Sequence, residues 1–140
     1  MRVLFDTCVL VDSLQDRKPF SESANKLLIA VAEKRIDGCI TAKAITDIYY
    51  LMHRHTHSDA ESRKVISKLF LLYEVLDTEA QDCRRALASS VTDYEDGVMA
   101  ETAIRSGVDA IVTRNEKDYA NAGIRVLTPD KLVGIMESEQ

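Results

Sequence analysis

Residues 3–6 read Val3-Leu4-Phe5-Asp6, an unbroken apolar run that is followed at once by an acid. Such a run is typical of a strand that is buried on both faces of a parallel sheet. Four similar runs follow along the chain, and segments with helical periodicity lie between them. The predicted strands span 3–5, 38–41, 74–76, 110–113 and 125–127. The predicted helices span about 21–35, 42–56, 58–72, 78–89 and 93–106, and a last one opens at Thr128-Pro129-Asp130.

This alternation of strands and helices predicts an α/β fold, in which helices cover both faces of a parallel sheet. In such sheets, ligands bind in the crevice beyond the carboxyl ends of the strands. The residues that directly follow the strands therefore carry most of the functional information.

Length and composition favour one domain over residues 1–140. A chain of 140 residues with 46% hydrophobic side chains suits a single core. No apolar run is long enough to span a membrane and no signal peptide precedes the first strand, so we expect a cytoplasmic protein. Cys8, Cys39 and Cys83 form no CxxC pair, which argues for reduced thiols. The formal net charge of −5 excludes nucleic-acid binding through overall charge, so RNA would have to bind at a local site.

Asp6 comes directly after the first predicted strand, which places its carboxylate at the rim of the predicted crevice. A polar residue at such a position is also commonly a turn former or a helix N-cap. The sequence alone leaves both interpretations open.

Asp47 lies within a predicted helix whose apolar stripe includes Ala44, Ile48 and Leu51. Its spacing from Ala44 and Leu51 places it along the apolar side of that helix. Because desolvation of an unpaired charge is costly, the carboxylate needs a partner there. That partner is either a bound cation or the side chain of an Arg or Lys.

A third acidic segment, Asp93-Tyr94-Glu95-Asp96, opens the fifth predicted helix. Asp93 and Asp96 share a helical face that continues through Gly97 and Ala100 into the predicted core. Acids in a first turn are normally explained by capping and by the helix dipole. Two acids on the side that becomes buried indicate a further role, and the small residues beside them allow this helix end to approach the sheet closely.

A polar segment, Thr113-Arg114-Asn115-Glu116-Lys117-Asp118, follows the next predicted strand. Asn115 and Asp118 carry side-chain oxygens that suit the same crevice, although a solvated loop of this composition is equally common. Arg114 lies beside one of these candidates and suits a phosphate contact. The candidate substrate-binding residues are Thr7, Thr113 and Arg114.

Carboxylates that converge on one crevice raise each other's pKa and destabilise the fold unless a cation compensates them. A hard divalent ion, Mg²⁺ or Mn²⁺, prefers carboxylate, amide and water oxygens as ligands. Such an ion polarises a phosphoryl oxygen, lowers the pKa of bound water and orients that water for attack on phosphorus. The acidic segments therefore predict metal-assisted hydrolysis of a phosphodiester.

Taken together, these segments resemble the PIN-domain family, and the resemblance runs from Leu4 nearly to Asp130. The four similar stretches are, in order, residues 4–12, 45–50, 93–96 and 111–119. None of them is specific alone, whereas their order and spacing are.

The resemblance implies a three-layer α/β/α sandwich with a central, mostly parallel sheet, and a Mg²⁺- or Mn²⁺-dependent endoribonuclease. It also implies RNA as the substrate, a toxin role with a small antitoxin as partner, and a homodimer. By position, the catalytic metal carboxylates would be Asp6, Asp47 and Asp96, with Asp93, Asn115 and Asp118 around them.

Two departures from the family pattern concern the proposed ligands. Many relatives carry Glu where Asp47 stands, and the shorter side chain implies a water between this carboxylate and the metal. Many toxins carry Asp where Asn115 stands, so a catalytically weak or inert module that binds RNA or protein is one alternative function. A receiver-like phosphoacceptor domain, with Asp77 as the acceptor, is another. Receivers carry an acidic pair after the first strand, however, and here Thr7 follows Asp6.

Overall fold

The computed structural model describes residues 1–139, in which five strands alternate with helices. The strands are β1 Arg2–Phe5, β2 Asp37–Thr41, β3 Glu74–Leu76, β4 Ala110–Val112 and β5 Val126–Leu127. The α-helices are α1 Thr7–Leu14, α2 Ser21–Ala32, α3 Ala42–Thr56, α4 Asp59–Leu72, α5 Ala80–Ala86, α6 Tyr94–Ser106 and α7 Pro129–Ser138. A 3-10 helix spans Glu116–Tyr119.

The five strands form one parallel sheet in the order β3-β2-β1-β4-β5. β1 is central, and its Leu4 is paired with Cys39 of β2 and with Ile111 of β4. All carboxyl ends therefore meet at the same edge of the sheet. A receiver-like domain has the strand order 2-1-3-4-5, so the observed order argues against that alternative.

Helices cover both faces of the sheet, because successive strand side chains point to opposite sides. Val3 and Phe5 pack with α1, α2, α3, α4 and α7 in the larger hydrophobic cluster. Leu4 packs in a smaller cluster on the other face, with Ala100 and Ala103 of α6 and with Tyr119. The predicted three-layer α/β/α fold is confirmed.

Helix α1 is the element that the sequence analysis omitted. Its residues Val9, Leu10, Val11 and Asp12 are all buried, since α1 packs against both α2 and α3. A short helix that is buried on most sides lacks the polar face from which a helical pattern is recognised. Its apolar, β-branched residues also favour strands by propensity, and tertiary packing overrides that preference.

The other helix boundaries differ from the predicted ones at the ends. α2 ends at Ala32 rather than near residue 35. α5 is shorter than the predicted span of 78–89, because a capping box between Glu79 and Asp82 sets its first turn. Thr128 caps α7 as predicted, and its hydroxyl accepts a hydrogen bond from the backbone N–H of Lys131.

Two expectations from composition concern membranes and cysteines. None of the helices within residues 1–139 is both long enough and apolar enough to cross a lipid bilayer. Cys8, Cys39 and Cys83 are all free thiols, as predicted.

Candidate active site

Asp6 and Asp96, which are far apart in the sequence, meet at the hydroxyl group of Tyr119. The hydroxyl oxygen lies 3.1 Å from Asp96 Oδ1 and 3.4 Å from Asp6 Oδ2. Tyr119 ends the 3-10 helix after β4, and only 2% of its side chain is exposed. The structure thus brings together two of the three predicted catalytic carboxylates.

Asp6 is positioned by the end of β1 and by the loop after β4. It occupies the N-cap position of α1, but its side chain makes no capping hydrogen bond. Its Oδ2 instead accepts a hydrogen bond of 2.7 Å from the hydroxyl of Thr113, which is fully buried. The same hydroxyl accepts a hydrogen bond from the backbone N–H of Asn115. The loop after β4 therefore holds the Asp6 carboxylate at the carboxyl edge of the sheet.

The shared environment makes ionisation of both carboxyls unfavourable. Burial raises the pKa of Asp6, although the hydrogen bond from Thr113 opposes this. Burial, together with the negative charges of Asp6, Asp93 and Asp118, raises the pKa of Asp96 to about 6, against the hydrogen bond from Tyr119. A bound cation would make ionisation of both carboxyls favourable again, because it attracts the charged form of each acid.

Asp93 and Asp118 surround this pair without lining the pocket. The side chain of Asp93 caps α6 by accepting a hydrogen bond from the backbone N–H of Asp96. Asp118 is exposed in the first turn of the 3-10 helix. Both act on Asp96 through charge, and the capping interpretation of Asp93 is what the geometry shows.

A pocket of about 780 Å³ opens beside the two carboxylates at the carboxyl edge of the sheet. Five of the predicted site residues line it, namely Asp6, Thr7, Asp47, Asp96 and Asn115. Cys8 also lines it, and burial beside the charge of Asp6 raises the pKa of this thiol. Cys8 is therefore held in its neutral form.

Asp47 faces the pocket but is paired with a lysine. Its Oδ2 lies 2.8 Å from Lys43 Nζ, and the same ammonium lies 3.2 Å from Glu95 Oε2. Lys43 thus connects α3 with the first turn of α6 across the pocket. Desolvation lowers the pKa of Lys43, but the hydrogen bonds to Asp47 and Glu95 outweigh it and raise the pKa overall. The salt-bridge interpretation of Asp47 is therefore the one the geometry shows.

Three residues at this site were not singled out from the sequence: Tyr119, Lys43 and Glu95. The i, i+4 spacing of Lys43 and Asp47 on a helix was a readable signal for their ion pair. The position of the Tyr119 hydroxyl depends on the 3-10 helix, which carries no periodic pattern.

Arg114 does not line the pocket. Its Nε lies 2.6 Å from Asp12 Oδ2, and its guanidinium carbon lies 4.1 Å from the centroid of the Phe20 ring. Asp12 is only 1% exposed, so its carboxylate depends on this cation. The position of Arg114 supports a structural role, in which it ties the loop that carries Thr113 to helix α1.

The donor set suits a hard divalent ion in kind and in charge. Asp6 and Asp96 supply carboxylate oxygens, and Asp47 and Asn115 lie in the same pocket. Within residues 1–139, no group of three or more His, Cys, Asp or Glu side chains is close enough to hold a metal ion. Asp47 is instead paired with Lys43. Two carboxylates are thus preassembled, and a third requires a side chain to move.

A family model described as the PIN domain matches residues 2–117 of this chain. The chain belongs to the PIN-domain family. No curated protein matches it. Among solved structures, this PIN domain is similar to VapBC2 from Rickettsia felis bound to a promoter DNA fragment, with a TM-score of 0.70 and 14% identity. That alignment covers 91% of this chain and 98% of the other.

Two further structures share the fold. A toxin–antitoxin complex from Klebsiella pneumoniae aligns with a TM-score of 0.66 and 22% identity, over 91% of this chain and 97% of the other. The toxin VapC20 from Mycobacterium tuberculosis, described as cleaving the sarcin-ricin loop, aligns with a TM-score of 0.61 and 12% identity. That match covers 78% of this PIN domain and 86% of VapC20. At these identities the likeness concerns the fold.

Proposed function

We propose that this PIN domain is a Mg²⁺- or Mn²⁺-dependent endoribonuclease with Asp6, Asp47 and Asp96 as its catalytic carboxylates. The meeting of Asp6 and Asp96 at the Tyr119 hydroxyl carries the proposal. Both acids have a raised pKa, which is the arrangement expected where a cation normally compensates the charge. The description of VapC20 as an RNA-cleaving toxin supports RNA as the substrate.

In this function, Asp6 and Asp96 would hold the ion, and the Asn115 amide would be a further donor. Asp47 would join them after releasing Lys43, or through a water. Asp93 and Asp118 would add negative charge around the ion. When bound, the ion supplies polarisation of a phosphoryl oxygen and a water of lowered pKa that is oriented for in-line attack.

The surrounding residues keep these donors in place. Thr113 fixes the Asp6 carboxylate by its hydrogen bond, and Tyr119 orients both acids. Thr7 lines the pocket and would contact the substrate. Hydrolysis then joins the water oxygen to phosphorus and breaks one ester bond, whose oxygen leaves with a proton.

The test is cleavage of a labelled RNA by the purified chain with Mn²⁺ and with EDTA. We expect Asp6→Asn and Asp96→Asn to abolish cleavage. A matched control is Asp37→Asn, since Asp37 is exposed at the opposite, amino edge of the sheet. Cleavage that persists in EDTA, or in both pocket variants, would refute the proposal.

A second candidate is a PIN-like module that binds RNA or protein without cutting. The ion pair of Lys43 with Asp47 favours it, because that pair removes a carboxylate from the candidate metal centre. Titration calorimetry with Mn²⁺ separates the two functions. An inert module gives no binding heat, whereas the nuclease binds Mn²⁺ and loses that binding in Asp96→Asn.

A small antitoxin is the proposed protein partner. The similar structures from R. felis and K. pneumoniae are toxin–antitoxin assemblies, which supports a toxin role for this chain. Co-expression with the product of a short neighbouring open reading frame tests it: the purified complex should have less ribonuclease activity than the free chain. Light scattering on the free chain tests the proposed homodimer.

A further inference from the structure

Two exposed tyrosines line the same pocket as the acidic residues. Tyr50 is 69% exposed and Tyr94 is 46% exposed, and both line the pocket. Tyr50 lies almost one turn after Asp47 on α3, and Tyr94 begins α6. The two helices are joined across the pocket by the ion pair of Lys43 with Glu95. The two rings thus belong to different helices that both border the pocket.

Each ring has a contact that restricts its orientation. The hydroxyl of Tyr94 donates a 2.8 Å hydrogen bond to the backbone oxygen of Cys83. The ring of Tyr50 packs edge-on against Tyr49, with centroids 5.5 Å apart, and Tyr49 stacks in turn on His53. Large aromatic rings that are exposed and yet fixed lose little conformational entropy when a ligand stacks on them.

A cation lies at the Tyr50 end of the pocket. Arg17 lines the pocket, and its guanidinium donates to Gln15 Oε1 at 3.0 and 3.2 Å. Gln15 in turn donates to the backbone oxygen of Leu51, next to Tyr50. Among the residues that the structure describes, Arg17 has no carboxylate partner, so its charge is available to a phosphate.

We propose that Tyr50 and Tyr94 stack on two unpaired bases of an RNA strand, while Arg17 binds a backbone phosphate beside Tyr50. The phosphodiester between these bases would then lie at the acidic residues, so this inference rests on the proposed function. In a duplex the bases are already stacked on one another, and neither ring can reach a base face. Tyr50 and Tyr94 would therefore be the residues that make this pocket select an unpaired segment of RNA.

Binding is measured separately from cleavage. The double variant Asp6→Asn, Asp96→Asn cannot hold the metal, and it lacks the two charges that repel phosphate. Fluorescence anisotropy with this variant compares a short single-stranded RNA with the same sequence in a perfect duplex. We expect the single strand to bind more tightly. Adding Tyr50→Ala or Tyr94→Ala should weaken its binding roughly 5- to 150-fold, the usual contribution of one stacked base.

Three further variants sharpen the measurement. Tyr50→Phe keeps an aromatic face and should keep most of the affinity. Arg17→Gln should reduce the slope of log affinity against log salt by about one, as expected for the loss of one phosphate contact. Phe70→Ala is the matched control, because Phe70 is 56% exposed on α4 and lies outside the pocket, and its binding should be unchanged.

The outcomes distinguish this inference from the proposed function. Unchanged RNA affinity in Tyr50→Ala and Tyr94→Ala, or equally tight duplex binding, overturns the inference. If those single variants of the wild-type chain also cleave RNA normally while Asp6→Asn does not, the proposed function stands without it. If RNA binds through the tyrosines but is never cut, the proposed function fails and the stacking surface stands. Absence of RNA binding overturns the inference, and the two exposed rings would then be candidates for contact with a protein partner.

Discussion

Asp96→Asn should stabilise the metal-free protein while it removes the proposed activity. At pH 7 the Asp96 carboxylate is ionised beside Asp6, Asp93 and Asp118, in an environment that raises its pKa from 3.8 to about 6. An amide in its place carries no charge to be desolvated or repelled. It also keeps an oxygen that accepts the hydrogen bond of Tyr119.

The magnitude follows from the raised pKa of Asp96. The difference between 3.8 and about 6 corresponds to about 3 kcal/mol at 1.36 kcal/mol per pH unit. Asp96 is partly exposed, and solvent screens its repulsions, so we expect about 1 to 2 kcal/mol. For a chain of this length that is a rise in Tm of roughly 3 to 8 °C.

The pH dependence of the free energy of unfolding shows whether the raised pKa of Asp96 causes the stabilisation. A carboxyl whose pKa is higher in the folded state binds more protons when folded, so wild-type stability should fall as pH rises from about 4 to about 6. The stability difference between Asp96→Asn and wild type should therefore grow across that window and remain constant above it. Asp82, whose pKa is lowered by its partner Arg105, contributes only at more acidic pH.

The assay is thermal or urea unfolding in EDTA between pH 4 and pH 8. Asp47→Asn is the matched control. It breaks an exposed ion pair with Lys43 and should lower stability by no more than about 0.5 kcal/mol. Mn²⁺ should stabilise wild type and leave Asp96→Asn unchanged. The reasoning is refuted if Asp96→Asn in EDTA is no more stable than wild type at pH 7.

Five other substitutions test three individual contacts by urea denaturation in EDTA. Tyr119→Phe keeps the buried ring but loses the hydroxyl between the two acids, and should lower the free energy of unfolding by about 1 to 2 kcal/mol. An unchanged free energy of unfolding would mean that the hydroxyl does not hold the two acids. Gly38→Ala adds a Cβ 2.8 Å from the side chains of Tyr73 and Val31, and should lower the free energy of unfolding by about 1 to 3 kcal/mol. Gly134→Ala is the control: its Cβ would lie in open space on a helix, so it should raise the free energy of unfolding by up to about 1 kcal/mol. Arg114→Ala leaves the buried Asp12 carboxylate unpaired and should lower the free energy of unfolding by about 3 to 5 kcal/mol. Asp12→Ala should lower it less, because the Arg114 side chain that remains is 27% exposed and its guanidinium reaches water.

Most of the fold could be predicted because strands and amphipathic helices leave a periodic trace in the sequence. β1 is fully apolar where it is buried on both faces, and α3 has one apolar stripe. Helix α1 could not be recognised in this way, since it is buried on most sides. The strand order also depends on contacts between distant segments, which no local pattern contains.

In the candidate site, too, the positions of residues on the backbone could be predicted, whereas the contacts of their side chains could not all be. Asp6 and Asp96 were predicted because they follow a strand and open a helix on its buried face, and these positions determine where a carboxylate lies. The partner of Asp47 was left open between a bound cation and a basic side chain, although its i, i+4 spacing from Lys43 indicated the latter. The partner of Arg114 was not predicted, since it depends on side-chain conformations. Whether Asp47 contacts a metal stays a prediction.

The Tyr119 hydroxyl joins the first and last thirds of the chain, and this affects when the pocket exists during translation. Synthesis has already passed Asp6 and α6 while Tyr119 and β5 are still unmade. The acids then lack both the hydroxyl that holds them together and the edge of the sheet behind it. Synthesis must therefore reach β5 before the pocket can form, and a product that ended before Tyr119 would carry the carboxylates without their geometry.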